Sequence, residues 1–284
     1  MDLLWLPFSI ATMFLYGLGQ VFVKQTRSSI SSASLLLIFG INVFVMWSAY
    51  WLILRESESH TPEAWFWAVI AAAFSGLSYI TYYESLKHGK VSIVGTIAGA
   101  YAPWTVILAL VFLGESMSAT EGFGVALVVA SMLLFTYSTG DESPRRTELL
   151  GIALAACSLF LWGTSAALAK GVISEIGNTS FIGVFAVVCP TIWVAFWLMT
   201  ARGRLEMPKA SRGLLEIALL FIALGGITMY LAIENGPVSI VMPVTNLYPI
   251  VTIVFAKVML KERLTTLQAI ALSMILLSIL LFSI

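Results

Sequence analysis

Residues 89–115 read GKVSIVGTIAGAYAPWTVILALVFLGE, and residues 236–262 read GPVSIVMPVTNLYPIVTIVFAKVMLKE. At an offset of 147 the two stretches share Gly89/Gly236, Val91/Val238, Ser92/Ser239, Tyr101/Tyr248, Thr105/Thr252 and Glu115/Glu262 without a gap. An apolar bias would reproduce matches of Val and Ile. It would not bring Gly, Ser, Tyr, Thr and Glu into register. Each copy is a Gly-x-x-Ser turn, a long apolar span broken by Pro103 or Pro249, and a closing Leu-x-Glu. The chain is therefore a duplication, and its fold is one unit used twice.

The unit is built for lipid. Apolar runs of about 20 residues suit a hydrocarbon core about 30 Å thick, and ten are read here: 3–24, 33–54, 64–86, 91–113, 119–137, 149–172, 179–200, 212–234, 238–259 and 264–283. Only 11% of the 284 residues are charged and 60% are hydrophobic, whereas a soluble domain carries roughly 25% charged residues. All ten spans are expected to be helices, because backbone exposed to lipid must satisfy its own hydrogen bonds. Barrel strands would alternate instead of running continuously apolar. The expected fold class is an all-α membrane protein. Leu3–Val23 is too long for a signal-peptide core, has no basic residue before it and is followed by further spans, so no cleaved leader is expected.

The polar stretch 139–148, TGDESPRRTE, divides the chain into two five-helix repeats, 1–138 and 149–284. The first span of each half repeats as well: Tyr16-Gly17 with Lys24 matches Trp162-Gly163 with Lys170 at an offset of 146. Five spans is an odd number, so the second half enters the membrane from the opposite side. Inverted repeats of this kind place a substrate site near the midplane between the halves. Of the 15 Lys and Arg residues, all but Arg55 and Lys170 fall on the side away from the termini. The positive-inside rule makes that side cytoplasmic and puts both termini outside, in a plasma or cytoplasmic membrane.

Polar and aromatic residues within spans are the informative ones, since burying a polar group costs free energy unless it is paired. Tyr16, Gln20 and Lys24 recur every fourth residue and share one helix face. They form either a cavity wall or a helix contact, with Lys24 and Lys170 snorkelling to the interface. Tyr79, Tyr82 and Tyr83 make one aromatic face, echoed by Tyr230. An interfacial aromatic belt accounts for Tyr82 and Tyr83, while Tyr79 lies deeper. Tyr101, Trp104, Asn246 and Tyr248 flank the prolines, where a missing N–H opens the backbone to a ligand or kinks a helix for packing. Asn42 and Trp162 are further candidates. The expected substrate-binding set is Tyr16, Gln20, Tyr79, Tyr101, Trp104, Trp162, Asn246 and Tyr248. Glu115 and Glu262 read as caps of a following helix start or as ion-pair partners. Cys157 and Cys189 read as buried apolar residues and not as a disulfide or metal pair.

Some chemistry is excluded. The sequence has no phosphate-binding Gly-x4-Gly-Lys-Ser/Thr loop, no Gly-x-Ser-x-Gly and no His-Glu-x2-His, and His60 and His88 both fall in loops. ATP hydrolysis, intramembrane hydrolysis and a metal centre therefore lack parts, and no catalytic residue, enzyme activity, cofactor or nucleic-acid partner is expected. No Asp or Glu falls in the middle of a span, and Glu84 and Glu234 sit near span ends. This leaves facilitated transport or exchange open beside proton antiport.

Ten spans in two halves, the Tyr/Trp-Gly-x6-Lys element opening each half, and the Gly-x-Val-Ser…Pro…Leu-x-Glu block closing each half resemble the drug/metabolite transporter superfamily, in particular its EamA type. The resemblance covers essentially the whole chain. It implies two inverted halves around a central cavity and the movement of small metabolites, commonly outward, with small-molecule substrate and bilayer as partners. Many relatives keep both termini in the cytoplasm, and the charge pattern here departs from that picture. The aromatic and amide chemistry of the candidate set suits an amino acid or a related amphipathic solute, with a monomer or weak homodimer as the working unit. A passive pore and a lipid or drug flippase are the alternatives.

Overall fold

The computed structural model describes residues 3–26, 30–55, 61–89, 91–137, 149–206, 212–248, 250–251, 254–255 and 266–282. The inter-repeat stretch 139–148, Pro249 and Glu262 lie outside the described residues, as does the side chain of Lys24. The chain runs through α1 (Trp5–Thr26), α2 (Ser32–Leu54), α3 (Pro62–His88), α4 (Val91–Gly99), α5 (Tyr101–Phe112) and α6 (Ala119–Tyr137). It continues through α7 (Leu149–Ala201), α8 (Arg212–Asn235), α9 (Val238–Thr245) and α10 (Thr266–Phe282). No strand occurs among the described residues.

Local sequence explains where the helices start and break. Ser31 accepts from the Ser34 amide at the start of α2, and Thr61 accepts from the Ala64 amide, with Pro62 at the first helical position of α3. At α6 the Ser118 Oγ accepts from the Glu121 amide while the Glu121 carboxylate accepts from the Ser118 amide, a reciprocal cap. The 53 residues of α7 are two helices meeting at Gly177, where φ is +72° and ψ is 158°. That backbone is open to glycine and strained for other residues.

The packing exchanges elements between the halves. α3 lies against both arms of α7, and α8 lies against α1 and α2, so the third helix of each half seats in the other half. Buried small residues along α3, Ala64, Ala68, Ala71, Ala72, Ser75 and Gly76, allow the close approach of α7. Hydrogen bonds fasten it: Ser165 Oγ donates to the Ala71 carbonyl at 2.7 Å, Ser158 Oγ to the Ser78 carbonyl at 3.1 Å, and Trp193 Nε1 to the Gly76 carbonyl at 2.9 Å. Across the other seam Trp47 Nε1 donates to the Ala223 carbonyl at 2.9 Å.

The outer surface is apolar. Ile53, Phe112 and Met199 are each about three-quarters exposed, and other large hydrophobic side chains stand out along most helices. Five described helices, α7 counted as one, are long and apolar enough to cross a membrane, and shorter apolar helices accompany them. Such a surface belongs in lipid, and the chain is a multi-pass membrane protein. Cys189 is buried as expected; Cys157 is exposed, on the apolar outer face of α7.

Candidate functional site

Three of the sparse charges act on helix ends. Lys170 Nζ donates to the carbonyls of Ile233 and Gly236, both at 2.8 Å, at the C-terminal end of α8, where a cation meets the negative end of the helix dipole. It is an internal cap, not a snorkelling side chain. The Glu115 carboxylate accepts from the amides of Val238 at 2.8 Å and Ser239 at 2.9 Å, capping α9 across the repeat boundary and not the helix that follows it in sequence. The Glu234 carboxylate accepts from the Asn178 amide at 3.2 Å, at the start of the second arm of α7.

With those charges at the ends, the centre is neutral and aromatic. A cavity with about 860 Å³ of empty space, its open mouth included, lies between the helices of both halves. α1 contributes Tyr16 and Gln20; α2 contributes Phe39 and Trp47; α3 contributes Ser75, Tyr79, Tyr82 and Tyr83. From the other half come Trp162 and Ser165, then Phe185 and Trp193, with Met229 and Tyr230 of α8. Tyr101 and Tyr248 close the ring, and among the described residues no Asp, Glu, Lys, Arg or His lines it. Tyr79 stands at its hub, with ring centroids 5.0 Å from Trp162, 5.4 Å from Trp193 and 5.5 Å from Phe39.

Six of the eight residues expected to bind substrate meet here: Tyr16, Gln20, Tyr79, Tyr101, Trp162 and Tyr248. Trp104 and Asn246 do not. Trp104 Nε1 donates to Thr164 Oγ1 at 3.2 Å, and its ring packs edge-on against Phe160 at 5.1 Å, in the crossing of α5 with α7. Asn246 is fully buried, and its amide nitrogen donates to the Gly99 carbonyl. The reason is local: Pro103 has no N–H to offer the carbonyl four residues earlier, which is that of Gly99. The Asn246 amide supplies the missing donor, so it serves the backbone. Tyr82 and Tyr83 line the cavity, which corrects their reading as an interfacial belt.

The aromatic lining residues missed from sequence are Phe39, Trp47, Phe185, Trp193 and Tyr230. A signal for them existed. Phe39/Phe185 and Trp47/Trp193 match at the same offset of 146 as Tyr16/Trp162. In space these positions meet twice: Phe39 stacks on Trp193 at 5.1 Å and Phe185 lies 4.8 Å from Trp47. Likewise Tyr16 meets Tyr248 at 5.8 Å and Trp162 meets Tyr101 at 5.7 Å. The motif glycines explain themselves by close approach. A Cβ on Gly17 would lie 2.6 Å from Val251 Cβ, and one on Gly163 would lie 2.6 Å from Trp104 Cδ1 and 2.8 Å from the Tyr101 carbonyl oxygen.

A chamber of this kind binds by apolar burial and ring contact, with hydroxyls and one amide to orient a ligand. The EamA-like transporter family model matches residues 3–137 and 149–284. Over 68 residues the chain is 34% identical to an uncharacterized protein, MJ1333.1, of Methanocaldococcus jannaschii, a match that takes in 24% of this chain. It spans about half (50%) of that relative's length. A crystal structure of a protein superposes with a TM-score of 0.79 at 14% identity. It covers 97% of this chain and 95% of its own, which shows a shared fold. The sodium–calcium exchanger NCX_Mj, soaked with zero Na+ and Ca2+, aligns over 100% of this chain and 99% of its own at 12% identity; at a TM-score of 0.22 that likeness carries no argument.

Proposed function

The chain belongs to the EamA-like transporter family, a membrane transporter of the drug/metabolite type, and from that premise we propose that the aromatic chamber is the substrate site of a secondary transporter. Two inverted five-helix halves, 1–138 and 149–284, alternate access to it. The cargo is a small organic metabolite, an amino acid or a related amphipathic solute with a flat or apolar part, moved by export or facilitated exchange. One observation carries the reading: a central cavity lined from both halves by aromatic rings, with no charged side chain among its described lining residues. Such a wall favours a solute that presents an apolar face over a phosphate, whose charge would find no cation to meet it. An ammonium group is also accommodated, since a cation over an aromatic face gains roughly 0.5–2 kcal/mol.

Purified protein in liposomes loaded with unlabelled phenylalanine should take up labelled phenylalanine faster than empty vesicles do, because a carrier returns loaded more readily than empty. Tyr79→Ala, which removes the hub of the ring cluster, should cut that uptake at least tenfold. Equal uptake into loaded and empty vesicles would instead describe a pore. We place both termini outside on the basic asymmetry. A cysteine introduced at Ser59 should then react with an impermeant thiol reagent in intact cells, and one at Ser143 should be protected; the reverse pattern would invert the orientation.

A further inference from the structure

Four elements that wall the cavity are tied together one turn beyond it. α2 leaves the wall at Trp47, the first arm of α7 at Ala166, α8 at Tyr230, and α9, traced backwards, at Met242. Three or four residues further on they present Tyr50, Lys170, Glu234 and the amides of Val238 and Ser239. All of these belong to one polar cluster. Lys170 Nζ donates to the carbonyls of Ile233 and Gly236, and the Glu115 carboxylate accepts from the amides of Val238 and Ser239. The corner between α8 and α9 is thus gripped by a cation and an anion. Glu234 accepts from the Asn178 amide, and Asn178 Nδ2 donates to the Tyr50 hydroxyl at 3.3 Å. The cluster stands at the end of the molecule where α1 begins, since a Cβ on Gly236 would lie 2.6 Å from Trp5.

Two of these links join the halves. Glu115 and Tyr50 belong to the first half, α9 and Asn178 to the second. Halves that alternate access to the cavity part at this end once in each cycle. The bonds suit a link that breaks. A hydrogen bond to a charged group is strong where it is dry, and water competes for both partners once it enters. The same contacts therefore hold when shut and yield when wetted. The shut cluster is also incomplete: Ser239 Oγ and Asn178 Oδ1 are buried with no hydrogen-bond partner. Each unmet atom costs free energy that contact with water relieves. These two atoms lie on the parts that the cluster joins, at the start of α9 and at the start of the second arm of α7. They weigh against the shut state and bring it nearer to balance with an open one.

We propose that this cluster is the gate at the α1-start end of the cavity, shut in this structure, with Lys170 as its bolt and the α8–α9 corner as the part that swings. The inference rests on the transport reading above. Opening withdraws the corner from Lys170 and Glu115, wets the side chains of Ser239 and Asn178, and connects the cavity wall at Ala166 and Met242 to water. It also gives the duplicated motif a purpose. Lys170, Gly236, Ser239 and Glu115 are motif residues, matched in sequence by Lys24, Gly89, Ser92 and Glu262, and in this copy they meet at the gate and not in the substrate chamber.

The test reads the gate through a thiol. Ser239→Cys is made in the full chain together with Cys157→Ala, because the Ser239 hydroxyl has no partner to lose and Cys157 is exposed. Native Cys189, fully buried and bonded to the Ala72 carbonyl of α3, reports loosening of the fold as a whole. A maleimide should label position 239 slowly in detergent. Lys170→Met should speed that labelling at least tenfold while Cys189 stays protected, and in liposomes it should lower phenylalanine counterflow at least fivefold. Glu115→Gln, which leaves one acceptor oxygen for two amides, should speed labelling about threefold and decides the matter if Lys170→Met does not fold. Unchanged labelling overturns the gate. So does Cys189 reacting faster in step with position 239, and so does faster labelling with counterflow intact; all three leave the transport reading standing. Absence of wild-type counterflow overturns the transport reading and this inference with it.

Discussion

The seam between α2 and α8 and the seam between the second arm of α7 and α3 are two solutions to one packing problem. Each is fastened by an indole, Trp47 to the Ala223 carbonyl and Trp193 to the Gly76 carbonyl, at the same 2.9 Å. Each presents one Phe and one Trp to the cavity at repeat-related positions. The seams part company elsewhere. One holds Asn42 with Glu216, and the other has Val188 and Val69 at those places. On the cavity wall, Tyr79 of α3 has as its counterpart Gly226 of α8, and Gln20 of α1 has Ala166. Features kept in both copies explain how the helices cross. Features present in one copy are not needed for the crossing, and they gather at the cavity and at the Asn42–Glu216 hydrogen bond between α2 and α8. The comparison therefore sorts architecture from specificity without recourse to any other protein.

The sharpest way to break it is at the motif glycines. If Gly17 and Gly163 serve the same close crossing, Gly17→Val and Gly163→Val should each destabilise the protein by about 3 kcal/mol, the upper end of ordinary overpacking costs. A Cβ at either site meets carbonyl oxygen as well as side chain, at 3.0 Å from Tyr248 O or 2.8 Å from Tyr101 O, so rotamer changes cannot relieve it. Thermal unfolding in detergent measures both. A large loss at one glycine and none at the other would mean that the two crossings are not equivalent.

Much of this architecture is legible in the sequence, because lipid imposes spans and duplication imposes register. Tyr16, Tyr79 and Tyr101 stand out as cavity residues since each interrupts an apolar run with a hydroxyl. Trp47 and Trp193 do not: an indole amid Val, Phe and Met reads equally as a face toward lipid. Only their matching offset separates the two. Glu216 is hidden for another reason. Its place near the start of α8 says nothing about how far α8 is slid along α2, and that stagger is a property of tertiary packing. Asn246 is the converse case, an amide whose position suggests a ligand while its actual partner is a carbonyl 147 residues away.

An intermediate effect tests the indoles. Trp47→Phe and Trp193→Phe each remove one hydrogen bond across a seam and keep most of the ring, at a cost of about 1–2 kcal/mol for the bond lost in a buried setting. Matched losses in thermal unfolding, within a few tenths of a kcal/mol, would sharpen the equivalence of the seams. A markedly larger loss at Trp193, which is fully buried, would show that the halves share positions but not energetics.

Asn246 carries the smallest of these stability effects and the clearest distinction between the two kinds of residue. Its counterpart at an offset of 147 is Gly99, the residue whose carbonyl it serves. One copy of the repeat therefore supplies the break and the other supplies the donor. Asn246→Ala removes that donor. The Gly99 carbonyl already lacks a helical partner because Pro103 lies four residues on, so the change leaves a buried acceptor unpaired, at about 1 kcal/mol. Stability should fall by that amount. Phenylalanine affinity should stay within about twofold, since Asn246 is not part of the cavity wall. A binding loss of tenfold or more with unchanged thermal unfolding would return Asn246 to the substrate site and would mean that the amide leaves Gly99 when solute enters.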